Sequence, residues 1–454
     1  MGVSNEGAGP IVIEAWVAIS PGNVLPGHGD LQVNAAESFN RAHPQYQVRV
    51  RKVEAHVLPE LVAEAVAQGN PPDIAEYYAL STQTALDTRA ANGDPLFTGV
   101  QRAIAGRAKV LGEPVVIDDL LPTIREHYSL GGELVSMPSF ASTCILYGNK
   151  AVLERAGIER MPATWEELSD ACAAVTALPD GPPHGVSWPN YGWLFQMHIA
   201  GQGALLSNNG NGRAGRSTRV YLDSPEMLNY VRWWKQMHDR GYYLITEEFH
   251  FATIIDAFVR QQIAFAVSTT AAGGFVKDLE AAAGFEIVAG QLPRSSELRS
   301  PGGVPGGGSF FLAAGLPKDK EDGALAFLQH QLNPEHAVAA MSDPSCPMTS
   351  LPLTQAAYQR AMSDDWPEPF NGFRIGTEQF VAAKQTPAAA GAVLGNLNGI
   401  NLAVTEAMED VLLRGAEPVS RFRAANEEAQ AVLDRHNAAA LAYPPVTPDV
   451  LRAG

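Results

Sequence analysis

The chain has 454 residues, of which 46% are hydrophobic and 18% are charged, and its formal net charge is −17. This length exceeds what one ordinary hydrophobic core organises, which predicts two domains. The acidic surface argues against nucleic acid and anionic membrane as partners because it would repel phosphates, and no apolar run reaches the roughly 18 residues of a membrane-spanning helix.

The N-terminal part of the chain alternates strand signals with helix signals. The predicted elements are a buried strand at 11–16, a helix at 33–42, a strand with one wet face at 47–53, a helix at 58–66 and a strand opening at Asp73. Pro44 ends the first helix, and Gly69 with Pro71 ends the second. This order predicts α/β layers, with helices on the faces of a sheet.

The remainder of the chain is predicted to be mostly helical, with Gly-rich interruptions. Thr164, followed three residues later by Glu167, predicts the start of a helix over 165–174. The Gly-rich breaks fall at 271–274 and 302–308, and the later predicted helices are 322–332, 335–341 and 401–413, the last of them closed by Gly415.

Motifs for catalysis and cofactor binding are missing from the sequence. There is no GxxxxGK[ST] phosphate loop, no HExxH and no GxSxG. A GxGxxG pattern at Gly210, Gly212 and Gly215 follows polar residues rather than an apolar strand, so we expect a surface loop there. The eleven histidines lack metal-ligand spacing on a helix face. We therefore predict no catalytic residue, no cofactor and no metal.

Cysteines and paired carboxylates also favour structural roles. Cys144, Cys172 and Cys346 form no CxxC pair and are expected to be buried structural thiols. The acidic pairs 247–248 and 364–365 are expected to be solvated surface charge, because a glycosidase needs two carboxylates facing each other across a cleft. A facing pair that only folding brings together stays open as an alternative.

Five fragments, in this order and spacing, carry a resemblance to a known family. They are 39–44 with the strand after it, 69–74, 137–138 with 146–150, 156–157 and 162–168, 258–266, and 306–310 with 326–327, 334–335 and 351–353. Together they resemble the extracellular solute-binding proteins (family 1) of carbohydrate ABC importers.

Within that family the chain is most similar to the branch that binds glycerol-3-phosphate and glycerophosphodiesters. The stretches that carry this similarity are 142–143, 191–193, 307–309 and 394–396. That branch has an Arg just before the segment matching 394–396, where this chain has Val393, and its Gly-Tyr-Leu-Pro reads Ser350-Leu351-Pro352 here. These departures predict weak binding of free glycerol-3-phosphate, because a buried phosphate without a charged partner is costly. Arg374 or helix N-termini remain possible substitutes for the missing Arg.

The resemblance implies an α/β fold with two lobes, the type II periplasmic-binding-protein fold. Each lobe is discontinuous in sequence, and crossover hinge strands join the two. The implied division assigns 1–140 plus 269–313 to lobe 1 and 141–268 plus 314–454 to lobe 2. The implied crossings lie near Phe140, Ser268 and Ala313.

The resemblance also implies a function. The chain is expected to be the substrate-binding subunit of an ABC importer that captures a sugar, oligosaccharide or glycerophosphodiester and delivers it to the permease. It is expected to be a monomer without enzymatic activity, either periplasmic or lipid-anchored outside the cytoplasmic membrane. The first residues show no secretion signal, so either the protein is cytosolic or its natural signal is missing from this sequence; the resemblance favours the second. A secreted hydrolase acting on polysaccharide or glycerophosphodiester is the alternative, and an adhesin or scaffold is a third.

Carried over by position, the resemblance assigns nine ligand-binding residues to the interlobe cleft. They are Tyr77, Tyr78, Ser142, Trp188, Trp193, Thr270, Gly307, Gly308 and Ser309. Aromatic faces suit the C–H faces of sugars, hydroxyls both donate and accept hydrogen bonds, and glycines allow close backbone approach. For Trp188 and Trp193 the alternative to ligand binding is packing in a core. For Ser142 and Ser309 the alternative is helix capping. Trp193→Ala is expected to weaken binding by roughly 1–3 kcal/mol with little loss of stability.

Overall fold

The structure, a computed structural model, describes residues 9–20, 27–246, 251–273, 280, 284–296, 303–341, 350–366 and 372–442. Cys346, the acidic pair 247–248 and parts of both Gly-rich breaks lie outside these residues. Within the described part of the chain, no helix combines the length and the apolar character needed to cross a membrane.

Strands and helices alternate in the first part of the chain, and helices dominate its end. The strands are β1 Ile11–Ile19, β2 Tyr46–Glu54, β3 Ile74–Tyr78, β4 Phe97–Thr98, β5 Lys109–Val110, β6 Glu113–Pro114, β7 Ser129–Leu130, β8 Glu133–Leu134, β9 Met137–Ser142, β10 Cys144–Asn149, β11 His184–Ser187, β12 Ile263–Thr269, β13 Ile287–Gln291 and β14 Gly306–Ala313. The longer helices are α1 His28–Ala42, α2 Leu58–Ala67, α3 Thr82–Asp87, α4 Val100–Ile104, α5 Pro122–His127, α6 Lys150–Arg155, α7 Trp165–Thr176, α8 Gly192–Gly201, α9 Pro225–Asp239, α10 Phe251–Val259, α11 Lys318–Leu332, α12 Pro334–Met341, α13 Gln355–Ala361, α14 Phe373–Val381, α15 Leu397–Leu413 and α16 Pro418–Leu441.

The predicted elements are confirmed, although several of their ends differ. Helix α1 begins at His28, earlier than the predicted start at 33. Thr164 caps α7 as predicted, and its Oγ1 accepts a hydrogen bond from the Glu167 backbone N–H at 3.2 Å. Helix α15 begins at Leu397, because the Asn396 side chain caps it by accepting a hydrogen bond from the Gly399 backbone N–H.

The first sheet has the strand order β2-β1-β3-β14-β4, and β9 pairs with β14. Strands β1, β2 and β3 are parallel, whereas β14 is antiparallel to β3, β4 and β9. Edge strand β2 buries Val48 and exposes Arg49 and Arg51, which confirms the predicted wet face. The elements built on this sheet form the first lobe.

The second sheet has the strand order β11-β12-β10-β13. Every residue of central strand β12 is buried, as expected for a strand covered on both faces. Beside this sheet the ring of Trp233 stacks on Trp165 at 4.9 Å and on Trp188 at 5.1 Å between centroids. These elements form the second lobe, so the predicted two-lobed α/β fold is confirmed.

The chain passes from the first sheet to the second through a single residue, Thr143, which separates β9 from β10. This agrees with the predicted crossing near Phe140. The crossing predicted near Ser268 is wrong, because Ser268 lies inside β12 and the chain then adds β13 to the same sheet. The return crossing instead falls between Gln291 and Gly306. The crossing predicted near Ala313 is also wrong, because α11, which follows β14, packs on α1 and β1 of the first lobe.

The predicted lobe boundaries therefore need correction at two segments. Strand β13 lies within the predicted lobe 1 segment 269–313 but pairs with β10 of the second lobe. Helix α11 lies within the predicted lobe 2 segment 314–454 but packs on α1 and β1 of the first lobe. Leu351 also stays with the first lobe, since its backbone N–H donates to the Ala141 carbonyl at 2.9 Å. Helices α15 and α16 do pack in the core of the second lobe.

Candidate functional site

Two segments, those of Thr270 and Gln379, hold the crossing residue Thr143 by hydrogen bonds. Its backbone N–H donates to Thr270 Oγ1 at 3.1 Å, and its carbonyl accepts from the Thr270 backbone N–H at 2.8 Å. Its own hydroxyl accepts from Gln379 Nε2 at 2.9 Å. Gln379 Oε1 accepts in turn from the Leu292 backbone N–H at 2.7 Å, at the start of the return crossing. We call Thr143, Thr270 and Gln379 the crossover junction. The predicted site residue Thr270 lies within it, with its hydroxyl already engaged.

A pair of tyrosines, one from each lobe, lies beside the crossover junction. Tyr78 ends β3 of the first lobe, is half-buried, and packs edge-on against Phe140 with ring centroids 5.6 Å apart. Ala271, which follows the junction residue Thr270, packs against the same two rings. Tyr191 lies just before α8 of the second lobe and is 38% exposed. Burial raises the pKa of Tyr78, and the charges of Glu76 and Tyr191 raise it further.

Beneath Tyr78, a buried carboxylate organises the first-lobe side of the cleft. Glu76 is fully buried, and His28 Nε2 lies 2.8 Å from its Oε1 and 2.9 Å from its Oε2. The Ala18 backbone N–H donates to the same carboxylate at 3.1 Å, and the Ser139 hydroxyl also donates to it. These hydrogen bonds fix the Glu76 side chain within the first lobe.

The glycines at the start of β14 allow close packing. A Cβ on Gly307, where φ is +144°, would lie 2.2 Å from the Phe140 carbonyl oxygen. A Cβ on Gly308 would lie 3.0 Å from the Phe140 ring and 3.1 Å from Glu76 Oε1. A Cβ on Gly306 would collide with the Trp193 indole at 2.5 Å. The close contacts that require glycine at these three positions are with protein atoms.

Trp193 and Ser142 meet at Gly306. Trp193 is 7% exposed, and its Nε1 donates to the Val304 carbonyl oxygen at 2.8 Å. Ser142 is the partner of Gly306 in the β9–β14 ladder, and its hydroxyl faces the same glycine. Both residues therefore lie at the lobe junction, next to the tyrosine pair.

The structure places the other three predicted residues inside the lobes. Tyr77 packs between Phe97 and Phe311 in the first lobe and is 1% exposed. The Ser309 hydroxyl, also buried, lies 2.7 Å from the Ser136 hydroxyl. Trp188 is stacked in the aromatic cluster of the second lobe. All three residues make the contacts of core residues. For Trp188, core packing is the alternative that the sequence left open.

Two residues that the sequence did not select are also part of this region. Tyr191 belongs to the stretch 191–193 that carries the family resemblance, and from that stretch only Trp193 is predicted as a ligand-binding residue. Gln379 had no sequence signal, because its role depends on contacts with residues 143 and 292, which are distant in the chain.

A charged cluster joins the lobes at a second place. Asp87 ends α3 in the first lobe, and it accepts hydrogen bonds from the Arg216 guanidinium and, at 2.8 Å, from His436 Nε2 of α16. Burial raises the pKa of the Asp87 carboxyl, but the hydrogen bonds from His436 and Arg216 outweigh burial and lower it to about 2. Asp87 is therefore ionised in this contact.

Two arginines, Arg213 and Arg374, are engaged with backbone carbonyls. Arg213 donates to the carbonyls of Glu126 and His127 in the first lobe and to that of Gly391 at 2.7 Å. Burial lowers its pKa to about 10. Arg374 donates to the carbonyls of Met362 at 3.0 Å and of Ser363 at 2.7 Å.

The segment at Val393 is closely packed. Val393 is buried, and its backbone N–H donates to the Asn211 carbonyl at 2.8 Å. A Cβ on Gly212 would lie 2.0 Å from the Val393 carbonyl oxygen. The GxGxxG stretch is thus partly buried against this segment, which corrects the expected surface loop.

The two cysteines within the described residues, Cys144 and Cys172, are free, buried thiols as predicted. Burial raises the pKa of both thiols, which keeps them protonated and unreactive at neutral pH.

Residues 34–371 match the sequence profile of the family described as bacterial extracellular solute-binding protein. Among curated relatives, the sn-glycerol-3-phosphate-binding periplasmic protein UgpB of Escherichia coli K12 is 25% identical over 409 residues, which cover 88% of each chain. UgpB of Salmonella paratyphi A has the same identity and coverage.

Solved structures share the fold over nearly the whole chain. MalE, a sugar-binding protein from Xanthomonas citri, superposes with a TM-score of 0.73 at 17% identity, covering 94% of this chain and 98% of its own. The cyclic alpha-maltosyl-1,6-maltose binding protein of Arthrobacter globiformis has a TM-score of 0.72 at 18% identity, with 94% and 100% coverage. UgpB of Mycobacterium tuberculosis, solved with glycerophosphocholine, has a TM-score of 0.68 at 20% identity, with 94% and 99% coverage.

Proposed function

The chain belongs to the family of bacterial extracellular solute-binding proteins, and we propose that it is the substrate-binding subunit of an ABC importer. In this proposal a sugar, oligosaccharide or glycerophosphodiester is captured between the lobes and delivered to the permease subunits. The protein acts outside the cytoplasmic membrane, as a monomer, and performs no reaction on the solute.

The ligand class is supported by what the similar proteins bind. UgpB relatives are named for sn-glycerol-3-phosphate, and one solved UgpB holds glycerophosphocholine. Another chain of this fold is named for cyclic alpha-maltosyl-1,6-maltose, and one was solved with maltose bound. These ligands share a compact, hydroxyl-rich backbone with exposed C–H groups.

The observation that carries the proposal is the tyrosine pair at the crossover junction. Tyr78 and Tyr191 come from different lobes, and both retain exposed surface. Each phenol combines an apolar face, suited to C–H groups, with a hydroxyl that donates and accepts hydrogen bonds. A solute held between them contacts both lobes at once, so its binding favours lobe closure.

The crossings between the two lobes are where the backbone bends when the lobes close. The first crossing is one residue long, so a hinge motion changes the backbone at Thr143, in the return segment after Gln291 and in the later crossing between Leu351 and α15. Hydrogen bonds from Thr270 and Gln379 keep Thr143 in register while the lobes move.

A phosphate monoester is the disfavoured ligand in this proposal. Val393 is buried where the related branch has Arg, and Arg213 and Arg374 are directed at carbonyls. A doubly charged phosphate would lose its hydration without gaining the bidentate partner that an arginine provides. We therefore propose that maltose-like sugars or glycerophosphodiesters bind more tightly than sn-glycerol-3-phosphate.

Isothermal titration calorimetry of the purified chain tests the function. The probes are maltose, glycerophosphocholine and sn-glycerol-3-phosphate, followed by mass spectrometry of the recovered solute. We expect one of the first two to bind with 1:1 stoichiometry and to be recovered intact. A hundredfold excess over Kd should then stabilise the fold by about 2.7 kcal/mol.

Other outcomes contradict specific parts of the proposal. Cleavage of the recovered solute would support the hydrolase alternative. Tight binding of sn-glycerol-3-phosphate alone would overturn the argument from Val393. No binding of any probe would contradict the proposed ligand class.

A further inference from the structure

A cluster of metal-ligating side chains lies outside the cleft, in the first lobe. His43 follows α1, Glu113 begins β6 and His330 lies in α11. His43 Nε2 is 3.0 Å from Glu113 Oε1, and His330 Nδ1 is 2.9 Å from the same oxygen. The three donor atoms all lie within 4.8 Å of one another. Three remote segments of the chain thus direct one donor atom each at a common point.

We propose that His43, Glu113 and His330 form a binding site for one Zn²⁺ ion. Two imidazole nitrogens and one carboxylate oxygen are a donor set that zinc uses in proteins, with a fourth position open to water. Tetrahedral zinc with bonds of about 2.0–2.2 Å separates its ligand atoms by about 3.3 Å. The nitrogen-to-oxygen separations of 2.9 and 3.0 Å need to widen by a few tenths of an ångström, and the two imidazole nitrogens, which lie within 4.8 Å of each other, need to settle at about the same spacing.

Hydrogen bonds to His330 support this role. Its Nε2 lies 3.1 Å from the Ser38 hydroxyl, and its backbone carbonyl is 2.8 Å from His336 Nδ1. A serine hydroxyl either donates or accepts, so it partners Nε2 in both neutral tautomers of the imidazole. When His330 Nδ1 binds the metal, its Nε2–H donates to Ser38. This is the outer hydrogen bond that metal-ligating histidines usually make.

The site is partly shielded and still reachable. The side chains of His43 and Glu113 are each 12% exposed, and that of His330 is 4% exposed. His330 and Ser38 also line a cavity of about 480 Å³ that extends to His28 and Phe140 in the wall of the proposed cleft. The low exposure of the three side chains limits competition from bulk water.

The site is separate from the proposed solute cleft. Helix α1 begins at His28, next to Glu76 and Phe140 in the cleft wall, and it ends one residue before His43. Its 15 residues span about 21 Å. The ligands are 70 and 217 residues apart, which explains why histidine spacing in the sequence gave no indication of them.

Competition with a chromophoric chelator tests the proposal on the full-length, tag-free chain after EDTA stripping. We expect one equivalent of Zn²⁺ to bind and to raise the melting temperature. Glu113→Gln and His43→Asn should each weaken the affinity at least about tenfold. The control is His56→Asn, which removes an exposed histidine of the same lobe and should bind zinc as the unmodified chain does.

Circular dichroism shows whether each variant is folded, and solute calorimetry separates the two proposals. Zinc binding that disappears in both site variants while solute binding persists supports the metal site. Absence of zinc binding, or one equivalent that persists unchanged in both folded variants, overturns it. Failure of the solute proposal leaves the zinc titration unaffected, because the two sites share no residue.

Discussion

Trp193 Nε1 donates a hydrogen bond to the Val304 carbonyl oxygen at 2.8 Å, on the return crossing between the lobes. The same indole covers Gly306 so closely that a Cβ there would lie 2.5 Å from the ring. Helix α8 of the second lobe is thereby fixed to the start of β14 in the first. Trp193 is thus a packing residue of the junction as well as a neighbour of the proposed cleft.

Trp193→Ala is expected to lower the free energy of unfolding by about 3–5 kcal/mol, because it leaves a large cavity at a buried position. The Val304 carbonyl also loses its donor. The sequence predicted little loss of stability for this variant, and the burial of Trp193 replaces that prediction. Urea denaturation followed by circular dichroism measures the change. A loss below about 1 kcal/mol would show that the indole is not part of the core.

Tyr191→Ala is expected to weaken solute binding while leaving the free energy of unfolding almost unchanged. Because Tyr191 is 38% exposed, the free energy of unfolding should change by no more than about 0.5 kcal/mol. The affinity for the solute should fall by about 1 kcal/mol, roughly fivefold, since an aromatic face of the cleft is lost. Calorimetry measures the affinity. Leu413→Ala, which removes an exposed side chain at the end of α15, is the control and should leave affinity unchanged. Equal affinity in both variants would remove Tyr191 from the site.

Gly307→Ala is expected to destabilise the fold by roughly 3 kcal/mol or more. The new Cβ would lie 2.2 Å from the Phe140 carbonyl oxygen, and the backbone has φ of +144°. Gly69→Ala is the matched control, since Gly69 also has positive φ, +76°, but nothing lies within 4 Å of its Cβ position. That variant should cost only about 1 kcal/mol of backbone strain. Melting temperatures of the two variants make the comparison, and equal losses would show that the contact with Phe140 does not matter.

Local sequence signals predicted the elements well because they report on single segments. The periodic apolar residues of α2 and the Thr164 cap of α7 depend only on near neighbours in the chain. The addition of β13 to β10 depends on a pairing between residues more than 130 positions apart, which no local pattern encodes. The lobe boundaries were misplaced for this reason.

The candidate site was predicted in part for a similar reason. Residue type and family resemblance located the region, and Tyr78 does lie beside the crossover junction. Whether a side chain points into the core or toward the cleft depends on tertiary packing, which cannot be read from the sequence. Tyr77, one residue away on β3, points into the core between two phenylalanines. Trp188 packs in the aromatic cluster of its lobe in the same way.

Asp87 is expected to make the contact between the lobes sensitive to acid. Burial raises the pKa of its carboxyl, and the hydrogen bonds from His436 and Arg216 more than offset this, so the pKa falls from 3.8 to about 2. A carboxyl with a lowered pKa contributes stability above its unfolded value, and that contribution is lost as the pH falls through the folded value. The window is therefore pH 3.8 to about 2, and the contribution is about 2 kcal/mol.

Asp87→Asn tests this by removing the charge at nearly constant volume. The difference in unfolding free energy between the unmodified chain and the variant should be largest above pH 5 and should shrink as the pH falls toward 2.5. Urea denaturation at several pH values measures it, and taking the difference cancels the contributions of other carboxyls. Asp118→Asn, at a carboxyl whose side chain is 95% exposed and paired with Arg125, is the control and should change stability by less than about 1 kcal/mol. A difference for Asp87→Asn that stays constant with pH would mean that the bonds from Arg216 and His436 do not favour the ionised carboxyl.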